Sequence, residues 1–176
     1  MATVKELIRR TNRITDDEWD NIDLIDWFNQ CQAEALAHVL YLPATADLPL
    51  SPSGVYTLPS DFKGDLDVVN SGTTFDIFGK ELRMYGNKPP ILTIEYNKYP
   101  KKITTSPDQI PDMPEAFHDL YIFYGAMMAM LADEEHERYM HFREQFIVSM
   151  QALKKYMDTA RSSRIRHKTG AWVVIR

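Results

Sequence analysis

The chain has 176 residues, 44% of them hydrophobic and 26% charged, with a formal net charge of −5. That length fits one domain with appendages, and that composition excludes wholesale disorder. The net charge gives no whole-chain case for nucleic-acid binding. One cysteine, Cys31, excludes an intrachain disulfide and a thiolate metal cluster within one chain.

In chain order, Thr3 to Arg13 is predicted as a short helix. Val4, Leu7 and Ile8 make its apolar stripe, with Thr3 as N-cap and Glu6 completing a capping box. A second helix is expected from about Ile22 to Tyr41. Leu24, Trp27, Phe28, Cys31, Ala35 and Val39 recur there at helical spacing, behind a cap at Asp20 or Asn21. Ala44 to Ser53 is small and Pro-rich and reads as a loop. Short strands come after it, near 55–58, 66–70, 73–78, 81–85 and 91–96. Ser71-Gly72, Gly79-Lys80 and Gly86-Asn87 are their turns, which implies an antiparallel meander. Pro100 to Pro114 is a second Pro-rich connector. Two further helices, about 115–132 and 135–160, carry Phe117, Leu120, Tyr124, Phe142, Phe146, Leu153 and Met157 at steps of three and four. The short Asp133-Glu134-Glu135 break between them predicts an antiparallel helical hairpin. The expected fold class is therefore mainly α: a helical bundle with a long C-terminal hairpin and a small inserted β meander.

Charge is unevenly spread. Between Ile14 and Phe62 there is no Lys or Arg, but there are nine acids, among them Asp16, Asp17, Glu18 and Asp20. After Asp158 there is no acid, and Arg161, Arg164, Arg166, Lys168 and Arg176 make the end of the chain basic. Such polarity suits a subunit that meets other chains at different places, or simply two solvated surfaces. The N-terminus has no apolar signal core and no apolar run approaches the ~18 residues of a bilayer span, so a cytoplasmic origin without membrane association is expected.

Enzyme chemistry finds little support. His136 and His141 are five apart, about 140° around a helix, so they cannot share one ion as a zinc-protease pair four apart does. Asp133-x-x-His136 occurs once, where a di-iron bundle needs two such pairs. Cys31 sits on an apolar stripe and reads as a structural thiol. His38, His118 and His167 are isolated, and no phosphate loop, nucleophile elbow or dinucleotide fingerprint occurs. The Met-rich hairpin (Met127, Met128, Met130, Met140, Met150, Met157) reads as core filler, with an adaptable subunit interface as the alternative. No catalytic residue, cofactor or metal site is expected.

The order of several features resembles a known family. Asp16-Asp17-Glu18-Trp19-Asp20 precedes Ile25-Asp26-Trp27-Phe28-Asn29-Gln30. Tyr56-Thr57-Leu58-Pro59-Ser60-Asp61-Phe62, Ile94-Glu95-Tyr96, Tyr99-Pro100 and Ile110-Pro111-Asp112-Met113-Pro114 come next. Over about residues 15 to 160 this is similar to the head-to-tail adaptor proteins of tailed bacteriophages, also called connector or head-completion neck proteins. The resemblance implies a structural virion protein made in the host bacterial cytoplasm. It implies a single adaptor domain over 1–160 with a β insert at about 54–97, leaving a basic C-terminal tail over 161–176. It also implies a closed homo-oligomeric ring, usually of twelve subunits, between the portal protein and a stopper or tail protein, with duplex DNA passing through its lumen. An acidic lumen would let DNA slide, and a basic one would grip it. The tail is the expected partner-binding site. Trp172, Val173, Val174 and Ile175 would add as an edge strand to a partner sheet while Arg164, Arg166 and Lys168 steer docking. The alternatives are another neck or tail component such as a tail terminator, and a DNA-binding regulator, which would need an exposed basic recognition helix.

Overall fold

In the computed structural model, residues 2–69 and 74–169 are described. The chain divides into two compact units, one built from Met1–Leu40 and Pro100–Arg176 and the other from Tyr41–Tyr99.

The first unit is helical. Helix α1 spans Val4–Thr15, and Thr3 caps it as expected, its hydroxyl accepting from the Glu6 N–H at 3.4 Å. The Glu6 carboxylate turns away from the cap and takes the Arg9 guanidinium at 2.8 Å. Further support for this terminus comes from the connector, since the N–H groups of Val4 and Lys5 donate to the carbonyls of Gln109 and Pro107. Helix α2 spans Asn21–Gln30, with the Asp20 carboxylate accepting from the Ile22 N–H at 2.9 Å.

Beyond Gln30 the chain departs from the plain helix expected to Tyr41. Cys31–Leu36 is a turn of π-helix that ends the helix five residues short of Tyr41, and its extra residue rotates the chain that follows by about 100°. Without it, Leu36 and Leu40 would lie well outside the Leu24–Phe28–Cys31 stripe. With it both are buried, whereas Val39, which uninterrupted spacing placed on the stripe, is only half-buried.

A 3-10 turn at Glu115–Phe117 leads into α3, Asp119–Ala132, and α4 runs over His136–Thr169. α3 packs against α4, α1 and α2. Tyr124 meets Phe146 at 5.5 Å between ring centroids and Phe117 meets Tyr156 at 5.3 Å, which fixes the antiparallel register of the hairpin. Gly125 lets α3 approach α1 and α2 closely: a Cβ there would stand 2.9 Å from Phe28 Cε1 and 3.2 Å from Thr11 Cγ2.

The Pro100–Pro114 connector, part of the helical unit, is tied down by side chains. Asn29 both donates to the Ile103 carbonyl and accepts from the Ile103 N–H, each at 2.9 Å. Gln32 donates to the Lys101 carbonyl and accepts from the buried Tyr121 hydroxyl. These bonds satisfy connector backbone groups that no ladder serves.

The second unit overturns the mainly helical expectation. It holds two three-stranded antiparallel sheets, not a small meander. The strands are β1 Pro43–Pro49, β2 Tyr56–Thr57, β3 Phe62–Val68, β4 Phe75–Phe78, β5 Glu81–Met84 and β6 Ile91–Lys98. Their orders are β1-β6-β3 and β2-β5-β4. β1 replaces the loop expected over Ala44 to Ser53. Its prolines occupy the two end positions of an edge strand, where a missing N–H costs least, and so do not prevent pairing with β6 from Pro43↔Asn97 to Pro49↔Ile91. Leu92, Ile94 and Tyr96 on β6, Leu48 on β1, Val68 on β3, and Leu82 and Met84 on β5 share one core with Tyr56 and Leu58. Among the described residues, only β4 and β5 form a hairpin of sequence neighbours, through the Gly79-Lys80 turn with Gly79 at φ 61°.

Candidate functional site

The expected partner-binding residues divide at the end of α4. Arg164, Arg166 and Lys168 belong to its final turns, because the helix continues past residue 160 to Thr169. Nothing in 159–169 breaks a helix, and this acid-free run rich in Arg and Lys suits the negative end of the helix dipole. Trp172, Val173, Val174 and Ile175 lie outside the described residues. Leu153 and Met157 are the last described side chains of α4 that are buried, and 158–162 are exposed. From there to Thr169 is about 18 Å of helix axis.

The acidic end of the polarity is the connection between α1 and α2. Asp16 ends α1 in the left-handed region, φ 59°. Asp17 accepts from the Glu18 N–H at 2.7 Å, and Asp20 caps α2. Trp19 is anchored by its backbone N–H, which donates to the Asn12 side chain, and by an edge-on contact with Trp27 at 5.2 Å. An open depression here is lined by Arg9, Arg13, Asp16, Asp17, Glu18 and Trp19 among others. Two of the acids are thus engaged with local backbone and two arginines stand among them, so the surface is less uniformly acidic than the composition implied.

The remaining sequence candidates are separated. Cys31 is buried, and burial pushes its thiol well up. His118 is buried with Nε2 2.8 Å from the Met113 carbonyl, whereas His38, His136 and His141 are exposed. Among the described residues no group of His, Cys, Asp and Glu is arranged to hold a metal ion, and no helix is long and apolar enough to cross a membrane.

One surface was not anticipated. Among the described residues β4 is the free edge of its sheet, and the outward face of the β4–β5 hairpin carries Phe78 under the Arg83 guanidinium, 5.2 Å from the ring centroid. Beside them the Tyr85 hydroxyl donates to Asp76 at 2.6 Å. The alternation of Phe75 to Phe78 signalled a strand, but an edge position depends on strand order, which no local pattern carries.

These surfaces and the two-part fold are the setting for the comparison with known proteins. Residues 2–83 match the family model of the SU10 adaptor protein. The match supports a phage adaptor family, with a structural place among phage head and tail proteins and a location in the virion. It runs from α1 into β5 and so takes in the acidic connection, the π turn and β4; the helical hairpin and C-terminal stretch lie beyond it. No curated protein matches the chain.

Proposed function

We propose that this adaptor forms a ring that joins the portal at the capsid vertex to a stopper or tail protein, with duplex DNA passing through the lumen. The adaptor-family match over residues 2–83 carries the reading. Support comes from the separation of charge, since the acidic connection and the basic end of α4 lie on different elements. A ring subunit contacts its neighbours through two different faces, and unlike surfaces on one chain serve that geometry. Within this reading Arg164, Arg166 and Lys168 steer docking, and Trp172, Val173, Val174 and Ile175 supply the contact itself. The test is capture of the chain by immobilised portal and, separately, by tail proteins, with sizing of whatever forms. Capture by portal into a ring-sized species is expected. Capture by tail proteins alone would assign the chain to the tail end of the neck.

A further inference from the structure

Among the described residues, four strands border the two sheets, and three have blunted edges. β1 begins and ends in proline, β2 is two residues long, and β3 loses register with β6 between Phe62 and Gly64 and again between Gly64 and Asp67. Of the four, β4 alone runs in unbroken register along its partner with no such defect, Phe75↔Met84 to Phe78↔Glu81. Because the Tyr85 N–H donates to the Thr74 carbonyl, the hydrogen-bonded pairs of this ladder are Thr74/Tyr85, Asp76/Arg83 and Phe78/Glu81. The main-chain groups of Phe75 and Ile77 therefore point away from β5, to the open edge. On the core side the sheet stops short of covering itself. Ile77 stands opposite fully buried Leu82 and is still 41% exposed.

We propose that this edge receives residues 171–175 of a second copy as an added strand. That segment, Ala171-Trp172-Val173-Val174-Ile175, holds strand-forming residues with neither proline nor charge, and its length, about 17 Å extended, covers β4. Trp172 and Val174 share one face of a strand and supply the bulk that the Ile77 lip lacks. Charge favours the encounter: residues 41–99 carry seven acids against five bases, and the stretch after Asp158 carries five bases and no acid. The exchange is heterologous, each copy giving one segment and receiving another, which is the contact a ring repeats. It rests on the ring reading above and names the partner of the same C-terminal site: loss of that segment would cost portal docking because the ring no longer closes.

The test separates giver from receiver. Ile77→Pro removes one outward N–H without touching the β4–β5 ladder, and deletion of Gly170–Arg176 removes the donated strand. Each variant alone is expected to weaken self-association at least about tenfold by sedimentation, with unchanged circular dichroism. Ile77→Val, which keeps both the N–H and most of the apolar surface, should associate like the unmodified chain. Mixed together, the two defective chains should recombine as one-to-one pairs that grow no further. A mixture that stays monomeric, or a deleted chain that self-associates normally, overturns the proposal. If Ile77→Pro fails to fold, Phe75→Pro takes its place as the defective receiver, its N–H also pointing to the open edge. Val173→Pro and Val174→Pro are further defective givers: successive N–H groups alternate, so one of the two must lose a bonded donor. Portal capture by the unmodified chain, measured in parallel, bears on the adaptor reading alone, so either idea can fail without the other.

Discussion

Gly125 shows how much of the helical unit depends on a missing atom. Its α-carbon faces Phe28 and Thr11, both buried, and neither can retreat from a methyl group placed at 2.9 and 3.2 Å. Gly125→Ala gains about 1 kcal/mol of helix propensity and forces a repacking that costs about 1–3 kcal/mol. Net destabilisation of about 1 kcal/mol is expected in urea denaturation monitored by far-ultraviolet circular dichroism. Tyr96 gives the β unit a pH dependence. Burial, together with the hydrogen bond it donates to Asp61 at 2.9 Å, pushes its hydroxyl up to about 12 from an ordinary value of 10.0. The folded state thus holds this proton more tightly than the unfolded chain does. The resulting stability is complete below pH 10 and is lost as pH rises towards 12. Denaturation midpoints measured across that range should fall more steeply for the unmodified chain than for Tyr96→Phe.

Between elements, the decisive contacts are made by polar side chains far apart in sequence. Arg138, in the first turn of α4, donates to the carbonyls of Ile14 and Thr15 at 3.3 and 2.8 Å, closing the C-terminal end of α1. Arg138→Ala should cost about 1 kcal/mol by loss of these bonds, and Arg138→Lys should recover only part, since an ammonium lacks the planar fork. The partly exposed pair with Glu135 contributes little. Equilibrium denaturation of the three proteins checks the order. Contacts of this kind also mark where the sequence stops being legible. The caps at Thr3 and Asp20 and the apolar steps of the hairpin are readable because each depends on residues within one or two turns. β1 is not, because Pro43 and Pro49 signal a loop unless the strand is known to be an edge. The π turn escapes notice for a related reason: Leu36 and Leu40 fit the buried stripe only if one residue is inserted, and nothing in Cys31 to Leu36 announces it. Of the candidate site, the basic run is evident from composition, whereas the β4 edge depends on a strand order set by long-range pairing.

At the scale of the whole molecule, function is a matter of surfaces that other chains can reach. Removal of Gly170–Arg176 takes away no described contact. The shortened chain should keep its melting temperature and lose capture by portal, and normal capture would exclude the segment from docking. If Arg164, Arg166 and Lys168 act by steering, added salt should slow association more than it speeds dissociation. Surface plasmon resonance at several ionic strengths separates those rates.

The pairing of Pro43 with Asn97 has a consequence for how the chain reaches its native state. Asn29 and Ile103, joined by two hydrogen bonds, are 74 residues apart, and an unfolded loop of that length is entropically costly to close. Once β1 and β6 have paired, the two ends of the insert leave the sheet as neighbouring strands, about 5 Å apart. The search that would bring the two halves of the helical unit together is then largely over before their helices dock. The sheets, inserted in the middle of the chain, are the clasp that turns a distant pair of segments into a local one.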